Sequence, residues 1–235
     1  MIKEGAWGAV HLQITILGSG TARATARRAS AGYLVEWKEG ALLLDPSAGT
    51  YVRALKAGLD PARLLAVVLS HLHADHTADL PGLLWARRQE KLDAVLAIVG
   101  PPGTADLMRR VRELYGDTTP ARIESFPFRE RGVSVEAFPA RHAEDSVCIR
   151  IGADGKALAY SGDTADCVGL RAALGGADLA LLECTAQEPR EGHLSPAECE
   201  RIVAATRPKR VLLTHLGPGV RPTLPAAEDG LVVSL

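Results

Sequence analysis

An unbroken apolar run over residues 64–69 ends abruptly at Ser70-His71-Leu72-His73-Ala74-Asp75-His76. Few segments constrain a fold more. The run has the length and composition of a fully buried strand. Just past a strand end the chain is still extended, so residues two apart point the same way. His71 and His73 can therefore grip one ion together. The chain then turns into a helix, with Pro81-Gly82 expected to break or bend it early. Asp75 and His76 sit where strand gives way to helix, placed to reach back across the mouth of the sheet toward a second ion. Imidazole and carboxylate suit zinc, with manganese or iron as alternatives. A polar loop with incidental histidines is the plainer reading. Against it, only 7 histidines occur in 235 residues, and His71, His73 and His76 fall within one motif beside an aspartate.

The flanking chain reads as strands and helices in succession. Residues 11–17 alternate apolar and polar and are expected as a first strand, ended by Gly18-Ser19-Gly20-Thr21. A glycine turn there can cradle phosphate, but no periodic helix follows and the G-x-G alone is a weak signal. Arg23, Arg27 and Arg28 come next, either solvated or, where the loop borders a site, able to clamp a phosphate. Residues 32–37 and 41–44 read as a hairpin. Asp45 closes it, either as a turn cap or as a carboxylate that orients the metal loop from behind. A short helix is expected over residues 48–57 and another over 80–92, with Trp85 in the core. A strand over 94–99, a helix over 101–115, a loop at 116–120 and strands within 123–139 follow.

Residues 147–151 and 157–160 read as a strand pair turning at Asp154-Gly155. A helix near 165–174, a strand over 179–182, a helix over 196–206, a strand over 211–213 and a last edge strand over 231–235 complete the chain. Ser195 is a natural N-cap, with Pro196 at the first helical position and Glu198 three residues after the serine. No linker, low-complexity stretch or strong repeat divides the chain. The expectation is one α/β domain over residues 1–235, two sheets face to face with helices outside, in a four-layer αββα sandwich.

His71, His73, His76, His142, His193 and His215 all fall at or near expected strand ends, as do Asp75 and Asp163. Ligands of α/β sheets gather beyond the carboxyl ends of strands. His11 stands apart as a surface or packing residue. The expected first ion takes His71, His73 and His142; the second takes Asp75, His76 and His215; Asp163 bridges them. Two ions ~4 Å apart would hold a hydroxide between them and clamp the attacking and leaving oxygens. Such water is nucleophilic near neutral pH, so no serine or cysteine nucleophile is needed. Asp75 could also orient it. Glu183 and His193 remain. A lone histidine before a helix is often a cap or packing residue, but a carboxylate-oriented imidazole is a good general acid for a departing alkoxide.

Composition sets outer bounds. A formal net charge of -1 gives no global basic field for nucleic acid, and 4% aromatic residues argue against wide base-stacking platforms. The start of the chain shows no signal-peptide pattern, and no stretch approaches the ~20 apolar residues of a membrane span. Cys148, Cys167, Cys184 and Cys199 form no C-x-x-C pair. A reducing cytoplasm, and no membrane, is the expected setting.

The His-x-His-x-Asp-His motif with His142, Asp163 and His215 resembles the metallo-β-lactamase superfamily, and within it the ribonuclease Z-like phosphodiesterases. Leu17-Gly18-Ser19-Gly20-Thr21 with Arg27-Arg28 and Ser30 is similar to that family's opening glycine loop. Leu80-Pro81-Gly82-Leu83-Leu84, Ser161-Gly162-Asp163-Thr164, Glu183-x-Thr185, His193-Leu194-Ser195 and Thr214-His215 are similar to its later segments. The resemblance implies the metallo-β-lactamase fold, two zinc ions per chain (manganese or iron as alternatives) and hydrolysis of phosphodiesters, with Asp75, Glu183 and His193 catalytic. The Glu–His pair points away from the lactamase and thiolesterase branches. Many ribonuclease Z enzymes carry a long tRNA-gripping arm between the equivalents of His142 and Asp163, where this chain has room only for two strands and a turn. Asp45-Pro46-Ser47-Ala48-Gly49 also stands where the family has Asp-Cys-Gly-Glu-Gly. The expected substrates are therefore small or cyclic phosphodiesters or RNA ends. Alternatives are tRNA 3′ processing, a lactonase or β-lactamase-like hydrolase acting on other small esters, and a metal-binding protein without turnover. The family's habit implies a homodimer.

Overall fold

The computed structural model describes residues 12–92, 94–116 and 119–235. His11, and Asp117 and Thr118 of the expected loop, lie outside the described residues. The chain opens with three strands, β1 (Gln13–Gly18), β2 (Gly32–Trp37) and β3 (Gly40–Leu44), then α1 (Thr50–Lys56), β4 (Leu64–Val68), α2 (Ala74–Thr77), α3 (Leu80–Gln89), β5 (Leu96–Val99) and α4 (Thr104–Tyr115). Next come β6 (Ala121–Glu124), β7 (Phe128–Glu130), β8 (Val133–Pro139), β9 (Val147–Ala153) and β10 (Lys156–Tyr160). The last elements are α5 (Val168–Leu174), β11 (Leu179–Glu183), α6 (Pro196–Thr206), β12 (Val211–Thr214) and β13 (Val232–Ser234).

One sheet runs β13-β1-β2-β3-β4-β5-β6 and the other β12-β11-β10-β9-β8-β7. Both are mixed. In the first, β3 to β6 are parallel and the flanking pairs antiparallel. In the second, β10, β11 and β12 are parallel and β7 to β10 antiparallel. The burial of side chains explains the layers. Ile14, Tyr33, Leu42 and Val68 of the first sheet meet Val135, Ile149, Ile151 and Tyr160 of the second in the central core. The opposite face of the first sheet packs on Tyr51, Leu83, Leu84 and Met108 of its helices, and that of the second on Leu170, Leu174, Cys199 and Ile202. Strands covered on both faces read as continuous apolar runs, as β3 and β4 do. The result is the expected αββα sandwich.

The segment between His142 and Asp163 is filled by the β9–β10 hairpin, which turns at Asp154 and Gly155, both left-handed. The 196–206 helix begins as expected, with the Ser195 and Glu198 side chains closing a reciprocal cap. Among the described residues β13 pairs only with β1, at the sheet edge. The four cysteines are free thiols. No helix among the described residues is long and apolar enough to cross a membrane.

Two expectations need correction. Pro81-Gly82 neither breaks nor bends the helix. The interruption lies earlier, at Ala78–Asp79 between α2 and α3, and Pro81 sits in the first turn of α3, where a missing N–H costs nothing. Trp85 is not core. It is 46% exposed, because the buried face of α3 carries Leu80, Leu83, Leu84 and Arg87. The guanidinium of Arg87 is fully buried and bonded to the carbonyls of Pro61 and Ala94, so a cation occupies the position that would otherwise mark the apolar stripe. Ile149→Ala, in the central core, should lower unfolding free energy by about 2–5 kcal/mol, whereas Trp85→Ala should change it by less than about 1 kcal/mol. Urea denaturation of both variants measures the difference.

Candidate metal centre

All nine residues singled out for chemistry converge at one end of the sandwich, from both sheets. His71 and His73 follow β4, and Asp75 and His76 lie on the short α2. From the second sheet, His142 follows β8, Asp163 follows β10, Glu183 ends β11 and His215 follows β12. The close approach of the two sheets requires Gly162. Its φ is +56°, and a Cβ there would lie 2.9 Å from the Cβ of Ser70 and 2.9 Å from the carbonyl of Val147.

The ring nitrogens are oriented from behind. His142 Nδ1 lies 3.0 Å from the carbonyl of Gly192, which can only accept, so Nδ1 carries the proton and Nε2 faces the cluster bare. His76 Nδ1 likewise donates to Asp45 Oδ2 at 2.8 Å. Thr185 Oγ1 donates to the carbonyl of His215 and accepts from His215 Nδ1 at 2.8 Å. Ser70 Oγ donates to Asp45 Oδ2 at 2.6 Å and accepts from His71 Nδ1 at 3.0 Å. Four imidazoles thus aim their Nε2 atoms into one space.

Within it, His73 Nδ1 lies 3.1 Å from both His71 Nε2 and His142 Nε2. Nearby, Asp75 Oδ2 lies 3.6 Å from His76 Nε2 and 3.7 Å from His215 Nε2. Asp163 stands between the groups, with Oδ2 3.5 Å from His76 Nε2 and 3.9 Å from His142 Nε2. His71-His73-His142 and Asp75-His76-His215 each present ligand atoms within 4.8 Å of one another. His76 Nε2, His215 Nε2 and Asp163 Oδ1 are buried with no hydrogen-bond partner. Buried polar atoms are ordinarily satisfied, so the unsatisfied Nε2 atoms of His76 and His215, both facing Asp75 Oδ2, fit a cation. The donor set of imidazole and carboxylate suits zinc.

The electrostatics of the two groups differ. Burial and the facing His76 push His71 down to about 3, and burial lowers His142, so both stay neutral as ligands must. For Asp163, burial is outweighed by His215 and His76, which hold it well below the usual carboxylate range. Burial is likewise outweighed at Asp75, where bonding to His215 and the charge of His76 bring it to about 2. At His76 the penalty of burial is overcome by Asp163 and Asp45 on either side, and the ring is pushed up; a cation bound there would have to displace that second proton.

Asp45 and Glu183 are near enough to enter other ligand groups, but both are already committed. Asp45 Oδ1 accepts from the Ser70 amide, and Oδ2 from Ser70 Oγ, His76 Nδ1 and Tyr160 Oη. Of its two sequence readings, the structure matches the carboxylate that holds the loop after β4 from behind, through Ser70 and His76. Glu183 accepts from the amides of Thr164, Thr185 and Leu194 and from His193 Nδ1 at 2.9 Å. His193 is a partner of Glu183, not merely a helix cap, and its ring stands 4.8 Å from that of His142. Burial lowers its pKa, but the bond to Glu183 outweighs this and raises it.

Of the loop arginines, Arg28 is structural, bonded to Ser19 Oγ and the carbonyl of Ala227. Arg23 and Arg27 line a 480 Å³ cleft with Leu216 and Gly217, directly after His215. Sequence reasoning missed Tyr160, Ser70 and the role of Thr185. Thr185 was visible in Glu183-x-Thr185, but its partner His215 is thirty residues away.

A family model described as a beta-lactamase superfamily domain matches residues 41–216. The chain belongs to that superfamily. It is a hydrolase of the metallo-β-lactamase fold. The ribonuclease Z of Mycobacterium bovis (strain BCG / Pasteur 1173P2) is 34% identical over 190 residues, covering 71% of this chain and 68% of that protein. Among solved structures, the metallo-beta-lactamase fold protein YhfI from Bacillus subtilis superposes with a TM-score of 0.84 at 21% identity, covering 96% of this chain and 100% of that one. Human tRNase Z, short form, superposes with a TM-score of 0.81 at 23% identity, covering 94% and 98%.

The loop that holds His142 gives a direct check. Gly192 has φ +74°, and a Cβ there would lie 2.9 Å from His142 Nδ1. Gly192→Ala should therefore displace His142 and weaken zinc binding about 10-fold or more, measured by chelator competition. Unchanged affinity would separate His142 from the metal site.

Proposed function

We propose that this superfamily hydrolase is a phosphodiesterase that holds two divalent ions, zinc by preference. His71, His73 and His142 would hold one, and Asp75, His76 and His215 the other, with Asp163 within reach of both groups. We read residues 1–235 as a single domain. The ions, when bound, supply Lewis acidity that acidifies water and neutralises phosphate charge.

The observation that carries the phosphodiester reading is the Glu183–His193 pair beside the cluster. Cleaving a phosphodiester expels an alkoxide that needs a proton. Glu183 fixes Nδ1–H of His193 and, by raising its pKa, favours a second proton on Nε2, the atom free to give it away. Asp75, one wall of the second group, is placed to orient the attacking water. Arg23 and Arg27 add positive charge to a cleft lined also by Leu216 and Gly217, the residues after His215, where a substrate phosphate would be drawn in.

Small or cyclic phosphodiesters and RNA ends are the proposed substrates. The tight β9–β10 hairpin occupies the place of a long tRNA-gripping arm. The identity with a ribonuclease Z and the arginine-lined cleft favour a second reading, tRNA 3′ processing without that arm.

Hydrolysis of bis(p-nitrophenyl) phosphate by zinc-loaded protein, beside a cyclic nucleotide and an unprocessed tRNA, tests the proposal. Diesters should turn over, and His193→Ala should lower kcat by about 10²–10⁴-fold with zinc content unchanged. Cleavage of the tRNA at its 3′ end would select the processing nuclease. Turnover of lactones alone would refute the phosphodiesterase.

A further inference from the structure

Two tyrosines lie in the central core directly beneath the candidate ligands, Tyr33 on β2 of the first sheet and Tyr160 at the end of β10 of the second. Both rings are fully buried, and they meet edge to face with centroids 5.0 Å apart. Each sends its hydroxyl across to the other sheet. Tyr160 Oη donates to Asp45 Oδ2 at 2.8 Å, and Asp45 holds His76 Nδ1 at 2.8 Å. Tyr33 Oη is hydrogen-bonded to Thr214 Oγ1 at 2.7 Å, and Thr214 is the residue before His215. Burial raises the pKa of both phenols, so both remain neutral hydroxyls able to donate.

A buried hydroxyl is costly to leave unpaired, so each of these bonds is an obligatory distance constraint between sheets. Most of the interface between the sheets is apolar packing, which is non-directional. Other hydrogen bonds cross it, such as Val147 N–H to the Ser70 carbonyl and Trp37 Nε1–H to the Arg131 carbonyl, but the two tyrosine hydroxyls cross it within the core. The two crossings run in opposite directions, and both end at ligands of the same group. His76 comes from the first sheet and His215 from the second, and their spacing decides whether Asp75, His76 and His215 close on one ion. The first group is held differently: His142 by the Gly192 carbonyl, and His71 by Ser70 Oγ, one step further from Tyr160 because Ser70 Oγ in turn bonds Asp45.

We propose that Tyr33 and Tyr160 are positioning residues for the second metal site, a reciprocal pair of hydroxyl pins that fix His76 and His215 at their working separation. This rests on the two-ion reading above. It makes occupancy of the second site depend on two core phenols that touch neither ion nor substrate.

The test is stepwise zinc binding, followed by competition with a chromophoric chelator, for the full chain and for Tyr33→Phe, Tyr160→Phe and the double variant. His142→Ala and His215→Ala assign the two steps to the two sites. Two zinc ions should bind the unsubstituted chain. Each phenylalanine variant should weaken the second-site step about 10-fold, and the two effects should combine in the double variant. Tyr33→Phe should leave the first-site step within about 2-fold, and Tyr160→Phe should weaken it less than the second. Melting of the zinc-free proteins checks that the sandwich is intact. Should Tyr33→Phe fail to fold, Thr214→Val cuts the same contact from its other end. Equal weakening of both steps would show a general structural role, and no change in either would show that the pins are irrelevant; each overturns the proposal. Uptake of fewer than two ions by the unsubstituted chain would instead remove the two-ion reading itself, a failure visible before any tyrosine variant is compared.

Discussion

The Asp45 carboxylate is the contact on which the site depends. It is fully buried, and a buried charge survives only when its lone pairs are met by donors. Here the Ser70 amide, Ser70 Oγ, His76 Nδ1 and Tyr160 Oη meet them. Burial pushes the Asp45 carboxyl up, but the charge of His76 and the bonds from His76 and Ser70 more than offset it and keep it ionised. The same four donors fix the turn of the metal loop, the tautomer of His76 and the distance to the second sheet. Asp45 itself sits in the left-handed region at φ 45°, a conformation unusual for a residue other than glycine and held here by that set of bonds.

From this point the architecture explains the chemistry. Parallel strands β3 to β5 in one sheet and β10 to β12 in the other place their carboxyl ends at the same rim, so short loops suffice to bring histidines and aspartates from both sheets together. The far end of the chain closes the rim. Asp229 accepts from Ser19 and Ala29 and so ties the opening glycine loop to the last strand, while Arg28 reinforces the tie from the other side. That leaves Arg23 and Arg27 along the cleft.

What could be read from the sequence was what short-range chemistry determines. The His-x-His-x-Asp-His motif, the Asp154-Gly155 hairpin and the Ser195-Pro196-Glu198 helix start each encode their geometry within a few residues. Glu183 and His193 were legible as a pair because each stood at an element end. What escaped depends on distant partners. The arginines of the opening loop look alike in sequence, and contacts to Ser19 and the distant Ala227 distinguish Arg28. Trp85 looked like core because its helix is apolar, and the buried cation Arg87 disguised which face docks. Tyr33 and Tyr160 are ordinary inward-facing strand residues until the opposite sheet is in place.

The central claim is that these side chains form one dinuclear centre. Anomalous diffraction at the zinc edge from crystals of zinc-loaded protein tests it most directly. The account predicts two anomalous peaks per chain roughly 3.5–4 Å apart, one against His71, His73 and His142, the other against Asp75, His76 and His215, with Asp163 reaching both. A single peak, or zinc bound by Asp45 or Glu183 in place of these ligands, would contradict it.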